Sequence, residues 1–90
     1  MTAYFEGIPE GAVTSENCKK KQKVIRGTDW KWGPQDEDDN GLPGTGVIDR
    51  CRTKKQWVKV KWNGYRKKYS YRMGAEEAFD LFYGSNGNNK

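Results

Sequence analysis

The sequence predicts an all-β fold, a small SH3-like β-barrel of about five short strands with a long, Trp-containing first loop. Three observations lead there. The chain has 90 residues, the size of one domain, and only 33% of them are hydrophobic, so its core is small. Four Trp, five Tyr and three Phe supply that core, since each aromatic ring buries roughly 150–250 Å². Two Leu (Leu42 and Leu81) and four Ala are too few for a helical bundle, whereas eleven Gly with many Asn and Asp provide turns.

Taken in order, residues 1–22 show no sustained period and read as an N-terminal arm, partly disordered or draped over the domain. Its Lys19, Lys20, Lys21 and Lys23 suit a solvated lead-in to a strand, with nuclear targeting or nucleic-acid contact as the other reading. Residues 23–27 form a first strand closed by Gly27. Residues 28–44 form a long connection with Trp30, Trp32 and Gln35, and two Trp in such a loop argue for packing. Residues 46–51 form a second strand and residues 52–56 a basic turn.

Residues 57–62 alternate most clearly: Val58, Val60 and Trp62 face one side, Trp57, Lys59 and Lys61 the other. Asn63-Gly64 predicts a two-residue hairpin, with residues 65–73 returning as a strand that puts Arg66, Lys68, Ser70 and Arg72 on one face. Residues 74–78 read as a turn or one helical turn, residues 79–83 as the closing strand, and residues 84–90 as a disordered tail. The domain therefore spans 23–83.

The net charge is +5, unevenly spread. Ten Lys or Arg and no acid lie between Arg50 and Arg72, while Asp36, Glu37, Asp38 and Asp39 are consecutive. The absence of His removes the commonest general base and metal ligand. Without a nucleophile elbow or a base for Cys18 or Cys51, no catalysis is expected within this chain. Asp36, Asp38, Asn40 and Gly41 open like a calcium loop, but position twelve is Val47, where a bidentate Glu is needed. No cofactor or metal is expected. Two Cys read as thiols in a reducing compartment, with a lone disulfide as the alternative. No stretch reaches the ~18 apolar residues of a membrane span, and residues 1–11 lack a leader's apolar run, which places the chain in the cytoplasm or nucleus.

The run VIRGTDWKWGPQD at residues 24–36 resembles the hallmark of the Mib–Herc domain, R-G-x-D-W-x-W-x-x-Q-D-G. GVI at 46–48, VKVKWNG at 58–64, YRMG at 71–74 and FDL at 79–81 resemble the family's later elements in the same order. The resemblance covers residues 23–83. It implies an SH3-like barrel of the mind bomb, HERC-type and other HECT-type ubiquitin ligases, acting in recognition or scaffolding. Ubiquitin transfer lies elsewhere in those chains, so the parent of this one is expected to be such a ligase.

The matching positions are Arg26, Gly27, Asp29, Trp30, Trp32, Gln35, Asp36, Trp62, Gly64, Tyr71, Gly74, Asp80 and Leu81, and they suit architecture. Trp30, Trp32 and Trp62 fill the barrel. Asp29 and Gln35 pin the loop through backbone hydrogen bonds. Arg26 and Arg72 pair with Asp29, Asp36 or Asp80. Three positions depart from the family: Glu37 and Glu77 replace Gly, and Asn63 replaces Asp.

The expected partner face is the basic hairpin, with Trp57, Lys59, Lys61, Arg66, Lys68 and Arg72 as contacts. Such a face suits a protein or acidic peptide substrate bound by a monomeric domain. It also suits a phosphate backbone with a stacked base, and, with no ligand at all, a solvated outer face.

Overall fold

The computed structural model describes residues 8–84, and the expectations for residues 1–7 and 85–90 lie outside the described residues. It is all-β. Five strands, β1 (Lys23–Arg26), β2 (Gly46–Arg52), β3 (Trp57–Trp62), β4 (Lys68–Arg72) and β5 (Leu81–Tyr83), form one antiparallel sheet. Their order is β4-β3-β2-β1-β5. Short 3₁₀ turns occupy Gly33–Asp36 and Ala75–Glu77. Between the edge strands β4 and β5 the chain makes an isolated bridge of Met73 with Phe79, beside which Asp80 N–H donates to the Arg72 carbonyl at 3.0 Å.

The alternation in β3 folds as read. Val58, Val60 and Trp62 are buried, and Val13, Val24, Ile48, Tyr71, Met73 and Leu81 complete the core. Gly46 opens β2 because its neighbours leave no room for a side chain. A Cβ there would sit 2.6 Å from Val60 Cγ1 and 2.7 Å from Trp62 Cε3.

The hairpin after β3 is longer than the Asn63-Gly64 signal predicts. Pairing resumes only at Lys68, opposite Lys61, so residues 63–67 form the loop. Asn63 N–H donates to the Thr45 carbonyl, and Tyr65 O–H donates to the Glu37 carbonyl. These two anchors draw the chain toward the first loop before it can pair. Arg66, expected on the return strand, is a loop residue.

Within the described residues, the arm lies against the sheet. Ala12 bridges Phe82, Val13 N–H donates to the Leu81 carbonyl at 3.0 Å, and the Val13 side chain is fully buried. Cys18 and Cys51 are joined as a disulfide. This corrects the expectation of two thiols: Cys51 sits opposite Val58 on β2, and the arm brings Cys18 to it.

The two family departures at Gly positions resolve differently. Glu37 takes an extended conformation (φ −83°, ψ 146°), so that turn needs no glycine. Glu77 keeps the left-handed φ of +60°, immediately after Glu76 at +57°. A side chain in that region costs roughly 1–2 kcal/mol. Replacing Glu77 with Gly, which also loosens the unfolded chain, raises stability by a net ~0.5–1 kcal/mol in chemical denaturation. An unchanged or lower midpoint would mean that the turn holds Glu77 without strain.

Candidate functional site

Directly opposed residues of neighbouring strands share a face, so the sheet register fixes what the outer surface carries. One row across β1 to β4 is Lys23, Val47, Lys61 and Lys68. The next is Arg50, Lys59 and Ser70, and the third is Arg52, Trp57 and Arg72. Strands stand ~4.8 Å apart, so these cations are near neighbours.

A bulge at Asp49 makes this arrangement. Ile48 pairs with Val60, and the next pair is Arg50 with Lys59. Without the extra residue, strict alternation would send Arg50 and Arg52 inward and Cys51 outward. With it, both arginines join the basic face and Cys51 turns toward Cys18. Arg50 and Arg52 are the face residues that sequence reasoning missed, and no local signal marks the bulge. Asp49 Oδ1 takes up Lys68 Nζ at 3.2 Å.

Of the expected contacts, Lys61 and Lys68 are exposed, Trp57 and Lys59 are half-buried, and all four lie in these rows. Arg66 stands apart in the loop, beside a hollow of about 490 Å³ lined by Pro34, Gln35, Tyr65 and Tyr69.

Arg72 is not a surface contact. It is 8% exposed and its guanidinium is bound from several sides. Nε donates to Asp80 Oδ2 at 2.9 Å and Nη2 to Asp80 Oδ1 at 2.8 Å. Nη1 donates to Glu76 Oε1, Nη2 also donates to the Asp29 carbonyl, and the Arg72 carbon Cζ lies 5.7 Å from the Trp32 ring centroid. Hydrogen bonding to Asp80 raises its pKa above an already high ordinary value, so the charge is permanent. Asp80 is fully buried and also accepts from Arg72 N–H and Trp32 Nε1. Charge, ring and carboxylate therefore close the end of the sheet.

The other hallmark residues support the first loop. Arg26 grips buried Asp36 in a two-pronged bond of 2.6 and 2.7 Å and lies over Trp30. Asp29 Oδ2 accepts from Phe79 N–H at 2.7 Å. Gln35 N–H donates to the Trp32 carbonyl at 3.4 Å within the loop, and its Oε1 accepts from Tyr71 O–H, which itself accepts from Trp62 Nε1, both at 2.8 Å. Trp30 stacks on Tyr71 at 5.0 Å and meets Trp62 edge-on at 5.7 Å. Only Trp62 is fully buried; Trp30 and Trp32 pack as partly exposed covers.

Burial holds the Tyr71 phenol well above its ordinary pKa, so it remains a donor to Gln35. The unfolded chain ionises near 10 and the folded one does not, so this contribution to stability is complete below that pH and is lost as pH rises further. Tyr71→Phe orphans Trp62 Nε1 and Gln35 Oε1. It costs about 1–3 kcal/mol in thermal unfolding and reduces the alkaline decline. A cost near zero would show that neither bond matters.

The acidic loop is structured by its own backbone. Asp38 Oδ1 accepts from Asn40 N–H and Leu42 N–H, and Asp36 is committed to Arg26. Among the described residues, no group of three or more Asp, Glu, Cys or His could hold a metal ion. Nor is any described helix long and apolar enough to cross a membrane.

The Mib_herc2 family model matches residues 21–85, which contain the whole sheet and the hallmark network. The chain belongs to the Mib_herc2 family. Among its relatives, the human E3 ubiquitin-protein ligase HERC2 is 41% identical over 80 residues, covering 89% of this chain and 2% of that protein. The Drosophila melanogaster E3 ubiquitin-protein ligase Ufd4 is 47% identical over 60 residues, covering 66% of this chain and 2% of that protein. The Gallus gallus E3 ubiquitin-protein ligase MIB2 is 36% identical over 62 residues, covering 66% of this chain and 6% of that protein. The chain thus spans a few per cent of the relatives it matches. In this Mib_herc2 domain the hallmark residues hold the loop and the sheet end, while the basic face is formed by residues outside the hallmark.

Proposed function

We propose that residues 23–83 form a non-catalytic protein-interaction domain of a larger ubiquitin ligase. It captures an acidic segment of a substrate or partner on the outer face of the sheet, with the N-terminal segment as an arm clasping it. The parent's ligase character is inferred from the family. The observation that carries the binding role is the three-row array. Trp57, Lys59, Lys61, Lys23, Arg50 and Arg52 share one surface, and among the described residues its only ion pairs are those of Lys68 with Asp49 and of Arg72 with its own acids. Like charges set side by side disfavour the sheet slightly, a cost that an acidic partner removes. Long Lys and Arg stems beside half-buried Trp57 give such a partner apolar contact as well. Arg72 is not among these contacts, and Arg66 contributes only from the neighbouring loop.

Fluorescence anisotropy tests this with two probes, a labelled Asp/Glu-rich peptide and a labelled random oligonucleotide, each at low and near-physiological salt. The reading expects saturable peptide binding that survives the higher salt, and oligonucleotide binding that falls away, because phosphate contacts lose affinity steeply with salt. Oligonucleotide binding that persists while peptide binding vanishes would replace it with a nucleic-acid role.

A further inference from the structure

The lysines of the arm, which fall outside the proposed contact set, converge with the sheet face on one groove. It has a volume of about 680 Å³, and Lys20, Lys21, Lys23 and Lys61 line it, with Val47 among them. Val47 is 40% exposed, unusual for a large apolar side chain here. Lys23 and Lys61 are its partners on the two neighbouring strands. The acid lining the groove, Asp49, is already paired with Lys68. Among the described residues, none of the four lysines makes an ion pair.

The arm is held there by three bonds to β2. The Cys18–Cys51 disulfide ties it down just before the lysines. Lys21 N–H donates to the Ile48 carbonyl at 2.8 Å, and Ile48 N–H donates to the Gln22 carbonyl at 3.0 Å. Lys21 itself adopts a left-handed φ of +73°. The groove is therefore a built wall of cations rather than a loose tail.

We propose that this groove receives an extended, Asp/Glu-rich polypeptide segment with one apolar side chain seated on Val47. In an extended segment, residues two before and two after the anchor lie on the same side, each about 7 Å away. That spacing puts acids within reach of Lys23 on one flank and Lys61 on the other, with Lys20 and Lys21 closing over the chain. Clustered unpaired ammonium groups in a concave site raise the local concentration of anions and steer them in. The apolar anchor favours a polypeptide over a phosphate backbone. This inference deepens the peptide-binding reading of the sheet face and rests on it.

The test uses the whole 90-residue chain and three proteins: wild type, the Lys20→Glu/Lys21→Glu double variant, and Lys59→Glu, which lies outside the groove. The probe is a short fluorescein-labelled peptide of Asp and Glu around a single Leu, with an oligothymidylate of similar length alongside. Near-UV circular dichroism checks each fold. Wild type is expected to bind the peptide more tightly than the oligothymidylate, and the arm double variant to bind it about tenfold more weakly with an unchanged spectrum. Wild-type affinity in the arm variant, with loss in Lys59→Glu, overturns the groove and leaves the face reading standing. No peptide binding by wild type overturns both. Tighter binding of the oligothymidylate overturns the polypeptide occupant.

Discussion

Replacing Arg72 with Ala lowers the stability of this domain by about 3–5 kcal/mol, because it leaves Asp80 charged and buried without its partner. Asp80 is fully buried, and Arg72 supplies three of the four hydrogen bonds to its carboxylate. The side chain also ties the Asp29 carbonyl and Glu76 to the sheet end. The backbone bond from Arg72 N–H survives truncation, but the two charged ones do not. Lys does not restore them, because a single ammonium cannot match the two-pronged contact. A domain of this size has only ~5–15 kcal/mol to lose, so Arg72→Ala is expected to be largely unfolded at moderate temperature. A melting curve within about 1 kcal/mol of wild type would mean that water reaches Asp80 and the pair is ornamental.

Reduction of the disulfide is the second large effect. Cys18 and Cys51 are 33 residues apart, and the loop they close contains β1 and the long Trp loop. Closing a loop of that length stabilises by roughly 3–4 kcal/mol through the unfolded chain. For a domain of this size, such a loss lowers the melting temperature by more than about 10 °C. Thermal denaturation of the oxidised chain is compared with the same chain reduced, thiols being counted under denaturing conditions. Equal melting temperatures, with both thiols free in the reduced sample, would show that the arm is held by Val13 and its hydrogen bonds alone.

The elements of this fold are legible wherever the pattern is local. Val58, Val60 and Trp62 declare β3 by alternation, and the closing segment declares itself by an apolar run after a turn. What is not legible depends on partners distant in the chain. Arg72 reads like any other cation on a basic strand, because nothing in its neighbourhood says that the Met73–Phe79 bridge folds Asp80 back under it. The bulge at Asp49 is a property of pairing between two strands, and it decides that Arg50 and Arg52 face outward. Asn63-Gly64 is a sound turn signal, yet Tyr65 is drawn away by the Glu37 carbonyl, across the first loop. The cysteine pairing was open because residue spacing alone does not say whether an arm returns to the sheet. The hallmark positions were legible as architecture because Trp, Arg and Asp in fixed order suit a buried network better than a changing partner.

The most direct test of the division between a structural network and a binding face is the Lys59→Glu/Lys61→Glu double variant. Its melting curve and its affinity for an Asp/Glu-rich peptide are measured on the same preparation. The first change sets opposite charge across from Arg50 and the second does so beside Lys68, so the sheet is not penalised. The melting temperature is predicted to match wild type while peptide affinity falls at least about tenfold, as a reversed charge pair repels the ligand. A folded double variant that binds the peptide as wild type does would contradict the account.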